Sequence, residues 1–174
     1  TEMKRINLLI VLAFALTVFT TNNVKAADDR PLHEIHSMML FNFAKYVNWP
    51  ASNTSGEFVI GVVGSDEVFE TLSTWYNNKT KGSQKIVIKK FNSASEISNC
   101  EVLYLAKQES KQFEDVKARL NGKSTLLISD KAGLGQKGSG INFKLVDGKL
   151  KFEINQKAIT AANLKVSSQL MGMA

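Results

Sequence analysis

The chain has 174 residues, of which 44% are hydrophobic and 22% are charged, and its formal net charge is +6. This length and hydrophobic content suffice for one domain with a buried core. The lysines are scattered, and Lys89-Lys90 is the only adjacent pair after residue 26, which excludes a clustered nucleic-acid-binding surface. The single cysteine, Cys100, excludes an internal disulfide; we expect a small buried side chain, with an interchain disulfide as the alternative.

Residues 1–26 have the pattern of a secretory signal peptide. Met3-Lys4-Arg5 is a positively charged start, an apolar run follows over residues 8–19, and Val24-Lys25-Ala26 ends in small residues suited to cleavage. The run is shorter than the roughly 20 residues that a membrane span needs; an uncleaved N-terminal anchor is the alternative. Cleavage after Ala26 predicts a periplasmic domain over residues 27–174, and it lowers the net charge from +6 to +4 by removing three cationic side chains and one anionic one.

The domain is predicted to begin with an amphipathic helix. Apolar residues recur at spacings of three and four over residues 35–47, and Pro50 disfavours helical geometry just before it. A run of successive apolar residues exceeds what one buried stripe requires: Met38, Met39, Leu40 and Phe41. We expect this run to face the sheet on one side and a partner on the other, since methionine suits adaptable contact surfaces. The alternative is that the C-terminal helix covers it.

Apolar segments then alternate with amphipathic ones. Strands are predicted over four ranges: residues 58–63, 86–91, 102–105 and 125–128. Helices are predicted from Ser65-Asp66 onwards and over residues 108–120, with a short one after Ser93. This alternation predicts an α/β single domain whose largely parallel or mixed sheet carries helices on both faces.

The last third of the chain predicts a β-hairpin followed by a helix. Residues 141–145 and 150–154 alternate between apolar and polar side chains around Asp147-Gly148, a two-residue turn signal. Asn155 is placed to cap a helix that begins at Gln156. The glycine-rich stretch before the hairpin, residues 133–140, is expected to be mobile and to become ordered on a partner.

The apolar positions of these elements predict the core. Its members are Phe43, Phe58, Ile60, Val62, Leu103, Leu126, Ile128, Phe143, Phe152 and Ile154.

Few residues have the types and spacing that catalysis or metal binding requires. His33 and His36 share one helical face, as metal ligands can, but no cluster of Cys, Asp or Glu completes a site, and we interpret them as surface histidines of a first turn. Residues 133–138 contain the glycines of a dinucleotide loop, yet they precede a strand instead of opening a helix. We therefore expect that the protein is not an enzyme and that it binds no cofactor and no metal.

Several motifs resemble those of a known family. Residues 43–50 (FAKYVNWP) after an amphipathic helix, residues 150–155 (LKFEIN) and residues 164–170 (LKVSSQL) are similar to the YfiR-like family. The resemblance spans about residues 32–174. Family members are exported bacterial proteins with an α/β fold, and the named member holds a membrane-bound diguanylate cyclase inactive by binding its periplasmic sensor region. Disulfides of family relatives need partner cysteines, and this chain has Cys100 alone, so redox control of that kind is not implied.

Two functions follow as hypotheses. The resemblance implies a regulatory binding protein whose partner is a membrane-bound signalling protein, a diguanylate cyclase or a sensor kinase, with a homodimer as a further association. The alternative is a periplasmic small-molecule receptor. Since open α/β sheets bind ligands at the carboxyl ends of their strands, its site would lie near Gly64, Ser65 and Ser129.

Overall fold

The computed structural model describes residues 30–174 of the chain. The helices are α1 (Leu32–Tyr46), α2 (Asp66–Tyr76), α3 (Phe113–Leu120), α4 (Leu134–Lys137), α5 (Gln156–Ala161) and α6 (Ser168–Met171). The strands are β1 (Val47–Asn48), β2 (Glu57–Val63), β3 (Thr80–Lys81), β4 (Gln84–Phe91), β5 (Val102–Leu105), β6 (Leu126–Ser129), β7 (Ile141–Val146), β8 (Lys149–Ile154) and β9 (Lys165–Val166). The signal peptide predicted over residues 1–26 lies outside the described residues.

Seven strands form one mixed sheet in the order β3-β4-β2-β5-β6-β7-β8. The five central strands, from β4 to β7, are parallel, and β3 and β8 add an antiparallel strand at either edge. The parallel strands have the order 2-1-3-4-5 of flavodoxin-like doubly wound sheets. The predicted α/β class is confirmed, including the antiparallel hairpin at the end of the sheet. Strands β1 and β9 form a separate two-stranded pair.

Alternation along the central strands divides the apolar residues between two faces of the sheet. In β2, Phe58, Ile60 and Val62 pack into a cluster with α1, α2, α5 and α6. The intervening Val59 and Val63 pack into a second cluster, with α3 and the segment before β5. Burial on both faces explains why these strands are almost continuously apolar.

All residues of the predicted core are buried except Ile154. Ile154 is only half-buried and packs against the edge of the first cluster from strand β8, so the prediction that it is a core residue was wrong. Leu103 is buried but belongs to the second cluster, because its neighbours Val102 and Tyr104 point to the first. Cys100 is buried as expected, and burial raises the pKa of its thiol to about 12.

Local signals placed most helix starts correctly. Ser65 caps α2 by accepting a hydrogen bond from the Val68 N–H, and Asn155 caps α5 by accepting one from the Ala158 N–H. The helix predicted over residues 108–120 is shorter, because Lys107–Gln112 forms a 3₁₀ segment with non-helical torsion angles at Glu109. In the described range, no helix has the length and apolarity needed to cross a membrane.

Candidate functional site

The three residues of the expected ligand site lie at the carboxyl edge of the sheet, where the parallel strands end. Gly64 follows β2, but the Glu109 side chain lies against it, so that an added Cβ would be 2.7 Å from Glu109 Cγ. Ser65 is occupied as the cap of α2. Ser129, at the end of β6, is fully buried. These three residues do not converge on an open pocket.

Ser129 instead belongs to a polar row across three neighbouring strands. Its hydroxyl donates to the Asn142 side-chain oxygen at 2.7 Å, and the Asn142 amide donates to Glu153 Oε1 at 3.2 Å. The other carboxylate oxygen of Glu153 pairs with Lys144 at 3.4 Å. Because each polar group already has a partner within the protein, the row stabilises the β6-β7-β8 end of the sheet.

A second polar group at the same edge joins α1 to the sheet. The hydroxyl of Tyr104, on β5, donates to Asp130 Oδ2 at 3.0 Å and lies 3.1 Å from His36 Nδ1. Since the hydroxyl proton goes to Asp130, its oxygen accepts from His36 Nδ1–H, which assigns this tautomer to the imidazole. The His36 ring also stacks on Phe143, with centroids 4.5 Å apart.

Burial controls the protonation of this His36–Tyr104–Asp130 chain. His36 is 4% exposed, and burial, with smaller effects of the Lys107 and His33 charges, lowers its pKa to about 4. Burial raises the pKa of Asp130 against the opposing hydrogen bond from Tyr104. Two buried atoms, His36 Nε2 and Asp130 Oδ1, have no hydrogen-bond partner among the described residues. This hydrogen-bonded group therefore holds the His36 imidazole in its neutral form in the core.

This placement corrects the interpretation of the two histidines. His36 is a core residue and not a surface one, because its ring points inward to Tyr104 and Phe143, while His33 is half-buried one turn earlier. Spacing alone put both on one helical face without showing that the face turns inward. In the part of the chain that the structure describes, no group of three or more His, Cys, Asp and Glu side chains is placed to hold a metal ion.

The apolar run of α1 divides between core and surface. Leu40 is 0% exposed and belongs to the first core cluster, so it is not part of the contact surface that the sequence predicted. Met38, Met39 and Phe41 are half-buried. Phe41 stacks on Tyr76 of α2 at 4.0 Å between centroids. Part of the surplus apolar surface is thus covered by α2, which was neither the predicted partner nor the alternative cover, the C-terminal helix.

The glycine-rich stretch is more ordered than expected. Its centre forms α4, with Leu134 and Gly135 buried. The Asn155 amide donates to the Gly135 carbonyl at 2.8 Å, and the Ser139 hydroxyl donates to the Ile141 carbonyl at 2.7 Å. Side chains from β8 and α5 also pack on the glycines, Glu153 against Gly135 and Ile159 against Gly140, so the stretch is a packed segment; its ordering on a partner stays a prediction.

An exposed apolar patch appears at the tip of the hairpin. Asn142 of β7 pairs with Ser129, the last residue of β6. Strand β7 then continues to Val146, beyond the end of β6. Leu145 is 69% exposed and Val146 is 43% exposed. Leu32, at the start of α1, is exposed as well. We call Leu145 and Val146, which project to opposite faces of the strand, the carboxyl-edge patch.

Sequence reasoning missed these features for different reasons. Tyr104 lies in β5 and Asp130 directly follows β6, and the group that they form includes a helix residue 68 positions away from Tyr104 in sequence, so no local motif joins them. Leu145 fitted the alternation of a half-buried strand, but the length of β7 relative to β6 leaves it uncovered. A mismatch in predicted strand lengths, residues 125–128 against 141–145, was the available signal.

The strand order and the helices on both faces define a doubly wound α/β domain, with a carboxyl edge that carries a buried polar chain and an apolar patch. The chain belongs to the YfiR/HmsC-like family, whose model matches residues 33–174. This confirms the resemblance drawn from the sequence motifs.

Solved structures support the fold. The chain is similar to an ABC domain in complex with L-Trp from Streptococcus pneumonia, with a TM-score of 0.55 and 11% identity over 79% of this chain and 59% of that one. The match therefore spans less than two thirds of that protein. At this identity the likeness shows the fold alone. No curated protein matches the chain.

Proposed function

We propose that the protein is an exported regulator that docks on the sensor region of a membrane-bound diguanylate cyclase and represses it. The observation that carries this proposal is family membership over residues 33–174, nearly the whole described domain. Membership of this family supports a periplasmic regulator of diguanylate cyclase activity, and we expect this chain to act by binding and not by turnover.

Export rests on the signal-peptide pattern of residues 1–26. We expect the exported protein to begin at Ala27 when its intact mass is measured from a periplasmic extract. A mass that begins at Met3 or Thr1 would contradict cleavage after Ala26.

Docking is assigned to the carboxyl-edge patch. Leu145 and Val146 extend past the neighbouring strand, and Lys144, Lys149 and Lys151 lie at exposed positions on the hairpin face that carries Val146. Exposed apolar side chains beside charged ones are found in protein contact sites. We expect the partner surface to be apolar with an acidic rim.

The half-buried residues Met38, Met39 and Phe41 form the second part of the proposed contact surface, on α1. Met39→Glu and Phe41→Glu test this part, with folding checked by circular dichroism. If both variants stay folded and still associate with the membrane protein and with a second copy of the chain as the parent does, this helix face is not part of the interface. Light scattering of the same variants separates self-association from partner binding.

The proposed function is tested in cells of the source bacterium that lack the gene for this chain. Deletion should raise cellular cyclic-di-GMP, and the parent chain should restore the low level. The double variant Leu145→Glu/Val146→Glu should fail to restore it. A matched control, Ser52→Glu/Ser98→Glu, adds the same charge at exposed positions before β2 and β5, at the opposite edge, and should restore it. An unchanged cyclic-di-GMP level after deletion would reject the proposal.

A further inference from the structure

A cleft of about 400 Å³ opens at the amino edge of the sheet, opposite the carboxyl-edge patch. It lies between the end of α3, the segment from Gln136 to Gly140, and α5. Its floor is apolar and consists of buried side chains from both core clusters: Leu120, Leu126, Ile159 and Leu164. The volume falls within the range of roughly 300–1,000 Å³ that is typical of small-molecule pockets.

Four lysines line this cleft, and no carboxylate does. They are Lys117, Lys123, Lys137 and Lys157. Lys117 pairs with Glu114 at 3.2 Å, whereas the other three form no ion pair with a described residue. Like charges around one concavity repel each other and attract an anion, and the apolar floor strengthens this attraction by excluding water.

Helix ends account for only two of these lysines. Lys117 and Lys137 lie in the last turns of α3 and α4, where a cation complements the carbonyl ends of the helix. Lys123 lies beyond the end of α3, and Lys157 lies in the first turn of α5, where a cation is unfavourable. Stabilisation of helices therefore does not explain why all four lysines line the same cleft.

The backbone at Gly138 keeps the cleft open on one side. Lys117 Nζ donates to the Lys137 carbonyl at 2.9 Å, which holds its side chain across this segment. Gly138 has a φ of +118°, a conformation that L residues rarely adopt, and an added Cβ would lie 3.5 Å from the Lys117 Cε atom. A larger residue would be strained and would fill the space beside the ammonium group.

We propose that this cleft binds an organic anion whose apolar body lies on the leucine and isoleucine floor and whose carboxylate or phosphate head lies among the lysines. Charge-assisted hydrogen bonds from ammonium groups suit either head group. The ligand source is a free amphiphilic acid or a lipid, and these share the chemistry that the cleft recognises. This site is independent of the proposed docking on the opposite edge.

Dodecanoate and dodecyl phosphate, both kept below their micelle concentrations, are the probes for titration calorimetry with the full chain. We expect the neutral probe dodecanol to bind at least about tenfold more weakly. The variant Lys123→Glu/Lys157→Glu should weaken dodecanoate binding by at least about tenfold, and the equally charged control Lys149→Glu/Lys151→Glu on the hairpin should change it less than about twofold. Lys123 is half-buried and the other three lysines are exposed, so we expect both variants to fold, which circular dichroism checks.

The second part of the test determines where on the protein the probe binds. Amide signals of Gly138 and Gly140 should shift on titration with dodecanoate, and Ala162→Trp, which fills the cleft, should abolish the shifts. Sedimentation with phosphatidylglycerol vesicles that is lost in the Lys123→Glu/Lys157→Glu variant identifies a lipid source; binding of the monomeric probes without vesicle binding identifies a free anion. Equal binding by the cleft and hairpin variants, or no binding of either probe or vesicle, overturns the proposal.

Discussion

The base and the tip of the β7-β8 hairpin share one sequence pattern and have opposite environments. At the base, Phe143 pairs with Phe152, and both side chains are buried beneath α1. At the tip, Leu145 pairs with Leu150 in the same register and on the same strands, but it is mostly exposed. Strand β6 ends at Ser129, so no described strand pairs with β7 on that side beyond Asn142, and the helix that covers Phe143 leaves Leu145 exposed.

This contrast shows what alternation in a sequence measures. Apolar residues at every second position indicate a strand with one apolar face, but whether that face is buried depends on the elements packed over it. The base contributes to stability and the tip is available for contact. The predictions below separate these two roles.

The largest effect is expected for Phe152→Ala at the base. The Phe152 ring contacts Phe43 edge to face at 5.0 Å between centroids, so its removal leaves a cavity between α1 and the sheet. We expect a loss of about 3–5 kcal/mol in the free energy of unfolding, measured by denaturant titration. Leu145→Ala is the control at the tip and should cost less than about 0.5 kcal/mol. Similar losses in both variants would remove the distinction between base and tip.

The next effect is a pH dependence from His36, which lies against the base. Its pKa of about 4 in the folded protein is below the ordinary value of 6.5, so the unfolded state binds more protons between these pH values. Stability is therefore full above pH 6.5 and decreases as the pH falls toward 4, by about 3 kcal/mol in total.

The measurement compares unfolding free energies of the parent and His36→Gln at pH 7.5 and 4.5. Asp130, whose raised pKa acts in the opposite direction, is present in both proteins, so the difference between them reports on His36. His33→Gln, one turn away, should retain most of the parent's pH dependence, because burial lowers the pKa of His36 more than the His33 charge does. If His36→Gln retains it as well, the imidazole is not held neutral in the core.

A smaller effect is expected at Gly61 in the middle of β2, far from the exposed tip. An added Cβ would lie 2.6 Å from the Phe91 ring and 2.8 Å from Leu103 Cδ1, so the second core cluster would have to move. Gly61→Ala should cost about 1–3 kcal/mol in unfolding free energy. Gly172→Ala, where the nearest atom is 3.6 Å away, should change stability by less than about 0.5 kcal/mol. A neutral Gly61→Ala would show that this part of the core is loosely packed.

Much of the fold could be predicted because its determinants are local. The caps at Ser65 and Asn155, the turn at Asp147-Gly148 and the apolar strands each depend on a few neighbouring residues. The turn residues adopt positive φ angles of 50° and 72°, as the tight hairpin requires.

The candidate site could be predicted only in part because its determinants are long-range. Leu40 and Phe41 are adjacent and both apolar, yet one is in the core and the other stacks on α2, a difference that depends on how α1 is rotated against the sheet. The cleft lysines belong to elements that meet only in the folded chain. Ser129 follows the rule for strand ends, but Asn142 from the neighbouring strand occupies its hydroxyl.

The central claim is that the exposed tip binds the partner and the buried base does not. The most direct test is the affinity of the purified chain for the sensor region of the diguanylate cyclase that it represses in cells, measured by calorimetry for the parent, for Leu145→Glu/Val146→Glu and for Ser52→Glu/Ser98→Glu. We predict that the tip variant unfolds at the same denaturant concentration as the parent but binds at least about 100-fold more weakly, a loss of roughly 2.7 kcal/mol. The control should bind as the parent does. Unchanged affinity in the folded tip variant would contradict the assignment of the hairpin tip as the docking surface.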